Sequence, residues 1–252
     1  MLYDLLPSSI YVFLVVFTRV GSAMILLPGF GETYISPRIR LALALLVCLV
    51  ITPILSPKIP PFTDSVASLG LLIFSEVLIG VFMGSIARIF LSATASAGMI
   101  AANMSSLANA MVQDPVSAQQ ASIMGTFMSS IAVVLIMILD IHHLFILGLV
   151  DSYELFVPGA PLPMGDFSNM MSRIVGDTFL LATRMAAPFI VVGIVFILGL
   201  GLLAKLIPQM QVFFVAMPLQ VAMGITVLFL SVPVMIKVFI LSLEEHWMVF
   251  VK

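Results

Sequence analysis

The sequence predicts an all-α integral membrane protein built from about six long hydrophobic segments. Of its 252 residues, 62% are hydrophobic and only 9% are charged, and the mean hydropathy is +1.26. A soluble domain carries about 25% charged residues, and no polar stretch here is long enough to build one. The formal net charge is -2. Because nucleic-acid binding needs a basic surface, no nucleic-acid partner is expected.

Six segments are apolar enough to cross a bilayer, for which a helix needs about 20 mostly apolar residues. The first carries Arg19 in its middle and follows residues without Lys or Arg, so we expect a retained membrane helix rather than a secretion signal. The second is short, and the third and fifth are too long for one simple crossing. In chain order the segments lie at about 8–28, 40–56, 66–100, 121–139, 174–204 and 211–236.

Two helix starts are marked by a capping residue followed by proline. Ser36-Pro37 and Asp114-Pro115 each place a side-chain acceptor before a residue that is tolerated at the first helical position. Helices are therefore expected to begin at Pro37 and at Pro115. The Pro- and Gly-rich stretch 158–166 is expected to be irregular, with Asp166 as a possible cap for the next helix.

The stretch 92–120 differs from the apolar segments around it because small side chains dominate it and Asp114 is its single charge. Small residues in membranes mark close helix contact rather than lipid contact, and methionine fills gaps of variable shape. This stretch is therefore either a tightly packed seam or the lining of a passage. Pairs of small residues four apart, at Gly80/Gly84 and Ala93/Ala97, also favour close helix packing.

Ionisable side chains inside apolar segments are functional candidates by default, and five are present: Arg19, Glu76, Arg88, Asp177 and Arg184. Asp177 and Arg184 are seven residues apart and share a helix face, whereas Glu76 and Arg88 do not. The favoured interpretation is a set of inter-helix salt bridges involving these four residues. The alternative is a secondary transporter that moves a small solute through Glu76, Arg88, Asp177 and Arg184.

No pattern of catalytic or metal-binding residues is present in the sequence. Asp140, His142 and His143 could ligate a metal, but adjacent histidines diverge on a helix and no second Cys/His cluster completes a site. Phosphate-binding loops, dinucleotide-binding turns and nucleophile elbows are missing from the chain. We expect no enzyme activity, no metal and no cofactor.

Four blocks of the chain, in order, carry a resemblance to a known family. They are RVGSAMILLPGFGETYISPRIRLALALLVCLVITP (19–53), NMSSLANAMVQDPVSAQQ (103–120), ILDIHHLFILGLVDSYELFVPG (138–159) and LIPQMQVFFVAMPLQVAMG (206–224). Together they resemble the FliR/SctT family of type III secretion export-gate subunits. The HH pair and the PQMQVFF run look more like the flagellar branch than the injectisome branch.

The resemblance implies a single membrane domain of bent helical hairpins, with a FliP-like part at about 1–172 and a FliQ-like part at about 173–252. Such a chain would form, with FliP- and FliQ-like subunits, the pore through which unfolded flagellar proteins leave the cell. Other expected partners are FlhB- and FlhA-like membrane proteins and membrane lipid. The expected location is the bacterial inner membrane, in the flagellar basal body.

The resemblance also implies that the loop at about 110–120 plugs the pore at rest. A small loop with almost no charge can be displaced easily, which agrees with that role. The residues assigned to the plug or gasket are Met104, Met111, Val112, Gln113, Asp114, Pro115 and Val116.

Besides the export-gate subunit and the secondary transporter, a third hypothesis is a purely structural scaffold that helps its neighbours insert.

Overall fold

The structure, a computed structural model, describes residues 2–61, 65–107, 112–113, 120–206 and 212–251. These residues are helical almost throughout, which confirms the all-α prediction. A two-residue antiparallel pair, β1 (Val112–Gln113) with β2 (Gln120–Ala121), lies between the third and fourth helices. The helices are α1 (Leu2–Leu26), α2 (Pro37–Leu55), α3 (Val66–Met104), α4 (Ile123–Ile138), α5 (Ile141–Leu155), α6 (Met164–Leu206) and α7 (Val212–Trp247).

The predicted number of membrane segments is confirmed. Within the described residues, five helices are long and apolar enough to cross a membrane, and a sixth crossing arises if α4 and α5 are counted as one span bent by 73°. The sequence did not predict α5. Asp140 separates it from α4 by adopting a left-handed conformation, with φ 59°, which few non-glycine residues do.

The first predicted helix start is confirmed and the second is wrong. Ser36 caps α2, its side chain accepting from the Ile39 amide, and Pro37 is the first helical residue. Asp114 and Pro115 lie outside the described residues. A helix from Pro115 cannot run through Gln120–Ala121, however, because those two residues are extended and paired. Helix α4 begins at Ile123 instead.

The stretch 158–166 is irregular only in its first part. Gly159 has φ 85°, a conformation that glycine adopts without strain. Helix α6 begins at Met164, so Asp166 lies inside its first turn rather than before it. An acidic side chain there still interacts favourably with the helix dipole.

The chain forms two compact units, and several helices contribute to both. Unit 1 contains Met1–Ile89, Leu135–Ile174 and Leu243–Lys252, and unit 2 contains Phe90–Val134 and Val175–Ser242.

In unit 1, glycines of α3 bring that helix against α1. A Cβ atom on Gly80 would collide with the Arg19 carbonyl oxygen, and one on Gly84 would lie 2.7 Å from the Ala23 carbonyl oxygen. The close packing predicted for this pair of glycines is confirmed. The C-terminal end of the chain is anchored in the same unit, where Trp247 Nε1 donates to the Leu144 carbonyl oxygen at 2.8 Å.

Candidate functional site

Arg19 and Glu76 form a buried ion pair in the core of unit 1. The guanidinium donates from Nε to Glu76 Oε2 at 2.6 Å and from Nη2 to Oε1 at 2.8 Å. Both side chains are 0% exposed. Two parallel charge-assisted hydrogen bonds give this pair a defined geometry. It joins the middle of α1 to α3.

Three residues at the end of α5 complete the surroundings of Arg19. Its Nη1 donates to Ser152 Oγ at 3.2 Å, and Nη2 also donates to the Phe156 carbonyl oxygen at 2.9 Å. The Arg19 Cζ atom lies 3.8 Å from the centre of the Tyr153 ring, within the range of a cation–π contact. These five residues are called the Arg19 cluster. It fastens α1, α3 and the end of α5 together.

Glu76 and Arg88 lie on the same apolar segment, and each pairs with a residue outside that segment. Glu76 pairs with Arg19, and Arg88 pairs with Glu32. Arg88 Nη1 donates to Glu32 Oε1 at 2.6 Å, in a pair whose side chains are 41% and 13% exposed. Glu32 lies in the connection between α1 and α2. Arg40 stabilises that connection by donating to the Glu32 carbonyl oxygen at 2.8 Å.

Asp177 and Arg184 lie on α6 in unit 2, and both are exposed. Their spacing leaves them on one face of the helix, as the sequence indicated. Their assignment to inter-helix salt bridges stays a prediction.

Asp140, His142 and His143 form a polar group at the bend between α4 and α5. Their potential ligand atoms all lie within 4.8 Å of one another, and the two imidazole rings are 4.1 Å apart between centres. His143 Nδ1 lies 3.5 Å from Asp140 Oδ1, with both side chains more than two-thirds exposed. Adjacent residues diverge on a regular helix, yet these two rings lie side by side in the first turn of α5. The expectation that no metal binds here stays a prediction.

Three of the seven predicted plug residues are described by the structure, and the other four are not. Met104 is the last residue of α3. Val112 and Gln113 lie in β1, where their backbones pair with Ala121 and Gln120. Met111, Asp114, Pro115 and Val116 lie outside the described residues.

The end of α3 is held by neutral groups of α6 and α7 within unit 2. Gln220 Nε2 donates to the Met104 carbonyl oxygen at 2.9 Å. A Cβ atom on Gly193 would lie 2.9 Å from Met104 Cβ, and one on Gly224 would collide with Ser105 Cβ. These five residues are called the Met104 seat. The sequence did not single out Gln220, although an amide inside an apolar run is a signal that could have found it.

The small residues that precede Met104 form a seam. Ala93, Ala97 and Ala101 are each 0% exposed. A Cβ atom on Gly98 would lie 2.6 Å from the Gly125 Cα atom of α4, so the two backbones are nearly in contact. The stretch 92–120 was expected to be either a packed seam or the lining of a passage. On this face, its described part up to Leu107 is a packed seam.

Two grooves in unit 1 are open and mainly apolar. One, of about 590 Å³, is lined by residues that include Tyr11, Leu72 and Pro161. The other, of about 410 Å³, is lined mostly by apolar residues, together with Arg40. Neither of these grooves is lined by Glu76, Arg88, Asp177 or Arg184, the residues that a transporter would need.

Residues 10–246 match the family model described as bacterial export proteins, family 1. The chain is 36% identical over 223 residues to the flagellar biosynthetic protein FliR of Caulobacter vibrioides, covering 88% of this chain and 89% of the relative. It is 27% identical over 248 residues to FliR of Bacillus subtilis, covering 96% and 93%. Yop proteins translocation protein T of Yersinia pestis is 24% identical over 231 residues, covering 89% and 87%.

Proposed function

The chain belongs to family 1 of the bacterial export proteins, and on this premise we propose that it forms, with FliP- and FliQ-like subunits, the pore of the flagellar protein export gate. The protein is a transmembrane component of type III flagellar export. The family is a structural part of that apparatus and not an enzyme family. Its role therefore depends on how its helices pack.

The observation that carries the proposal is the match of nearly the whole chain, at residues 10–246 for the family model and over 88% and 96% of its length for two FliR relatives. A pore subunit contributes all of its helices to one assembly, so similarity confined to one part would have been weaker support. The FliP-like part at about 1–172 and the FliQ-like part at about 173–252 belong to the same proposal. So do the inner-membrane location and the FlhA- and FlhB-like partners.

We further propose that residues 110–120 close the pore at rest, together with Met104. Two features support this. The backbones of Val112–Gln113 and Gln120–Ala121 pair with each other, which brings these two parts of the loop together. The same loop begins six residues after Met104, the last residue of α3, which is packed into the Met104 seat. A closure of this kind can give way to an unfolded chain without breaking a buried ion pair.

Deletion of residues 110–119 tests the closure directly. The full chain is co-expressed with its FliP- and FliQ-like partners, and the native mass of the detergent-extracted complex is measured to establish assembly. We expect the deletion to leave the mass lower only by the missing residues, while membranes become permeable to small ions. Gly70→Ala is the control, because a Cβ atom there meets open space. An assembled deletion complex with unchanged leak would contradict the plug.

The alternative of a secondary transporter receives no support from the described residues. Glu76 is fully buried and its carboxylate is paired with Arg19, so it is not open to a solute in this arrangement. A transporter subunit would also purify as a monomer or homodimer that ignores FliP- and FliQ-like chains. The same native-mass measurement therefore decides between the two functions.

A further inference from the structure

We propose that Gln220 is a positioning residue of the pore seal: its side-chain amide holds the end of α3, and with it Met104, in the closed arrangement. This inference rests on the proposed function, because it takes Met104 to be part of the seal. It adds to that function the group that keeps the seal in place.

The hydrogen bond satisfies a carbonyl that the helix itself leaves open. The last four carbonyl oxygens of an α-helix have no partner within it. In α3 the Ala101 carbonyl oxygen accepts from both the backbone amide of Ser105 at 3.0 Å and its Oγ at 2.7 Å. The Met104 carbonyl oxygen, at the very end, accepts from Gln220 Nε2 at 2.9 Å. Gln220 is only 8% exposed, so the bond is shielded from solvent.

The surrounding glycines restrict where the end of α3 can lie. Gly193 of α6 and Gly224 of α7 leave no room for a Cβ atom beside Met104 and Ser105 respectively. Backbones can approach closely only where side chains are missing. The helix end therefore sits in a slot with glycine on two sides, and Gln220 provides the directional contact within that slot.

A neutral amide suits a seal that has to open and close again. An unpaired amide or carbonyl is costly in apolar surroundings, so the closed arrangement is favoured while the bond is intact. Yet a neutral hydrogen bond is weaker than a charge-assisted one. Motion of α7 relative to α3 would release this bond without exposing a charge.

The decisive experiment compares ion leak through assembled complexes that carry changes at Gln220. Gln220→Met keeps a similar volume but removes the donor, and Gln220→Glu keeps the shape but places an acceptor against the Met104 carbonyl. We expect each to raise leak about fivefold, the shift in population that follows when one hydrogen bond favouring the closed state is lost. The native mass of the complex should be unchanged.

Thr226→Val is the matched control on the same helix. Thr226 Oγ1 donates only within α7, to the Ala222 carbonyl oxygen at 2.9 Å, so its loss should leave leak unchanged. A purely structural role for Gln220 predicts reduced assembly without increased leak per complex. That result would overturn the inference.

A second pair of variants keeps the test decisive if Gln220 variants fail to accumulate. Gly193→Ala pushes against Met104 while the Gln220 side chain stays, whereas Gly199→Ala on the same helix meets open space. We expect leak from the first and none from the second. Wild-type leak from Gly193→Ala in assembled complexes would also overturn the inference.

Deletion of residues 110–119 separates failure of the inference from failure of the proposed function. If the deletion leaks and Gln220→Met does not, the plug stands and the role of Gln220 is wrong. If the deletion does not leak, the proposed closure itself fails. If both the plug and the role of Gln220 are correct, adding Gln220→Met to the deletion should raise leak no further, because the seal is already open.

Discussion

The Arg19 cluster of unit 1 and the Met104 seat of unit 2 both hold helices together, but with different chemistry. The Arg19 cluster uses a fully buried ion pair, a cation–π contact and two more hydrogen bonds from one guanidinium. The Met104 seat uses glycine contacts and one hydrogen bond between neutral groups.

The two sites differ in the free-energy cost of separating the helices that they join. Separating a buried ion pair leaves two uncompensated charges in apolar surroundings. Separating neutral groups costs much less, about 0.5–1.5 kcal/mol for one hydrogen bond. The contacts of the Arg19 cluster therefore resist separation more strongly than those of the Met104 seat. The following variants test this contrast, in order of decreasing expected effect.

Arg19→Met should produce the largest loss of stability. Removing the guanidinium leaves Glu76 buried without a partner, which we expect to cost about 3–5 kcal/mol. The measurement is the free energy of unfolding in detergent, or the amount of folded protein that accumulates. The control, Lys58→Met, breaks an ion pair with Glu154 whose side chains are 33% and 39% exposed, and should cost about 0–1 kcal/mol. Equal losses in the two variants would remove burial as the cause.

A second variant tests the same cluster from the other side. Replacing both Arg19 and Glu76 by Met removes the pair together, and buried ion pairs replaced by apolar groups are often neutral in stability. The double variant should therefore be more stable than Arg19→Met alone. A double variant that is less stable than the single one would mean that Glu76 has another stabilising contact.

Gly80→Ala should have an intermediate effect. Its Cβ atom would collide with Ser22 Oγ and the Arg19 carbonyl oxygen, and overpacking of this kind typically costs about 1–3 kcal/mol. Gly70→Ala on the same helix meets open space and should be neutral or slightly stabilising, because alanine is the better helix former. Thermal unfolding of the two variants side by side checks the prediction. It is wrong if both unfold at the wild-type temperature.

Thr94→Val should have the smallest effect, because it removes a neutral contact within unit 2. Thr94 Oγ1 lies 3.1 Å from Ser129 Oγ and donates to the Leu91 carbonyl oxygen at 2.7 Å. Hydrogen bonds between membrane helices average about 0.6 kcal/mol, and we expect a loss of about this size in the free energy of unfolding. A loss as large as that of Arg19→Met would end the contrast between the two units.

Much of the fold was predictable because the relevant signals are local. Long apolar runs identify membrane helices by composition alone, and Ser36-Pro37 marks a helix start within four residues of chain. The helix α5 was missed because its start depends on the unusual conformation of Asp140. The start of α4 was placed at Pro115 rather than Ile123, because the pattern of a cap and a proline carries no information about the pairing of Gln120–Ala121.

The candidate sites were less predictable than the helices. Arg19, Glu76 and Arg88 could be recognised as ionisable residues in apolar surroundings, but the spacing along one helix says nothing about partners on another. Arg19 and Glu76 are 57 residues apart, and Gln220 and Met104 are 116 apart. No periodicity in the sequence connects positions so distant.

The sequence by itself determined the class of protein, the helices that could cross a membrane and the family to which the chain belongs. These follow from composition, from short-range capping and from motifs read along the chain. Only the tertiary structure decided that Arg19 is paired with Glu76 and that Gln220 holds the end of α3. Such pairings depend on which helix faces meet, and that is set by close packing of the whole chain, above all where Gly80, Gly193 and Gly224 let backbones approach.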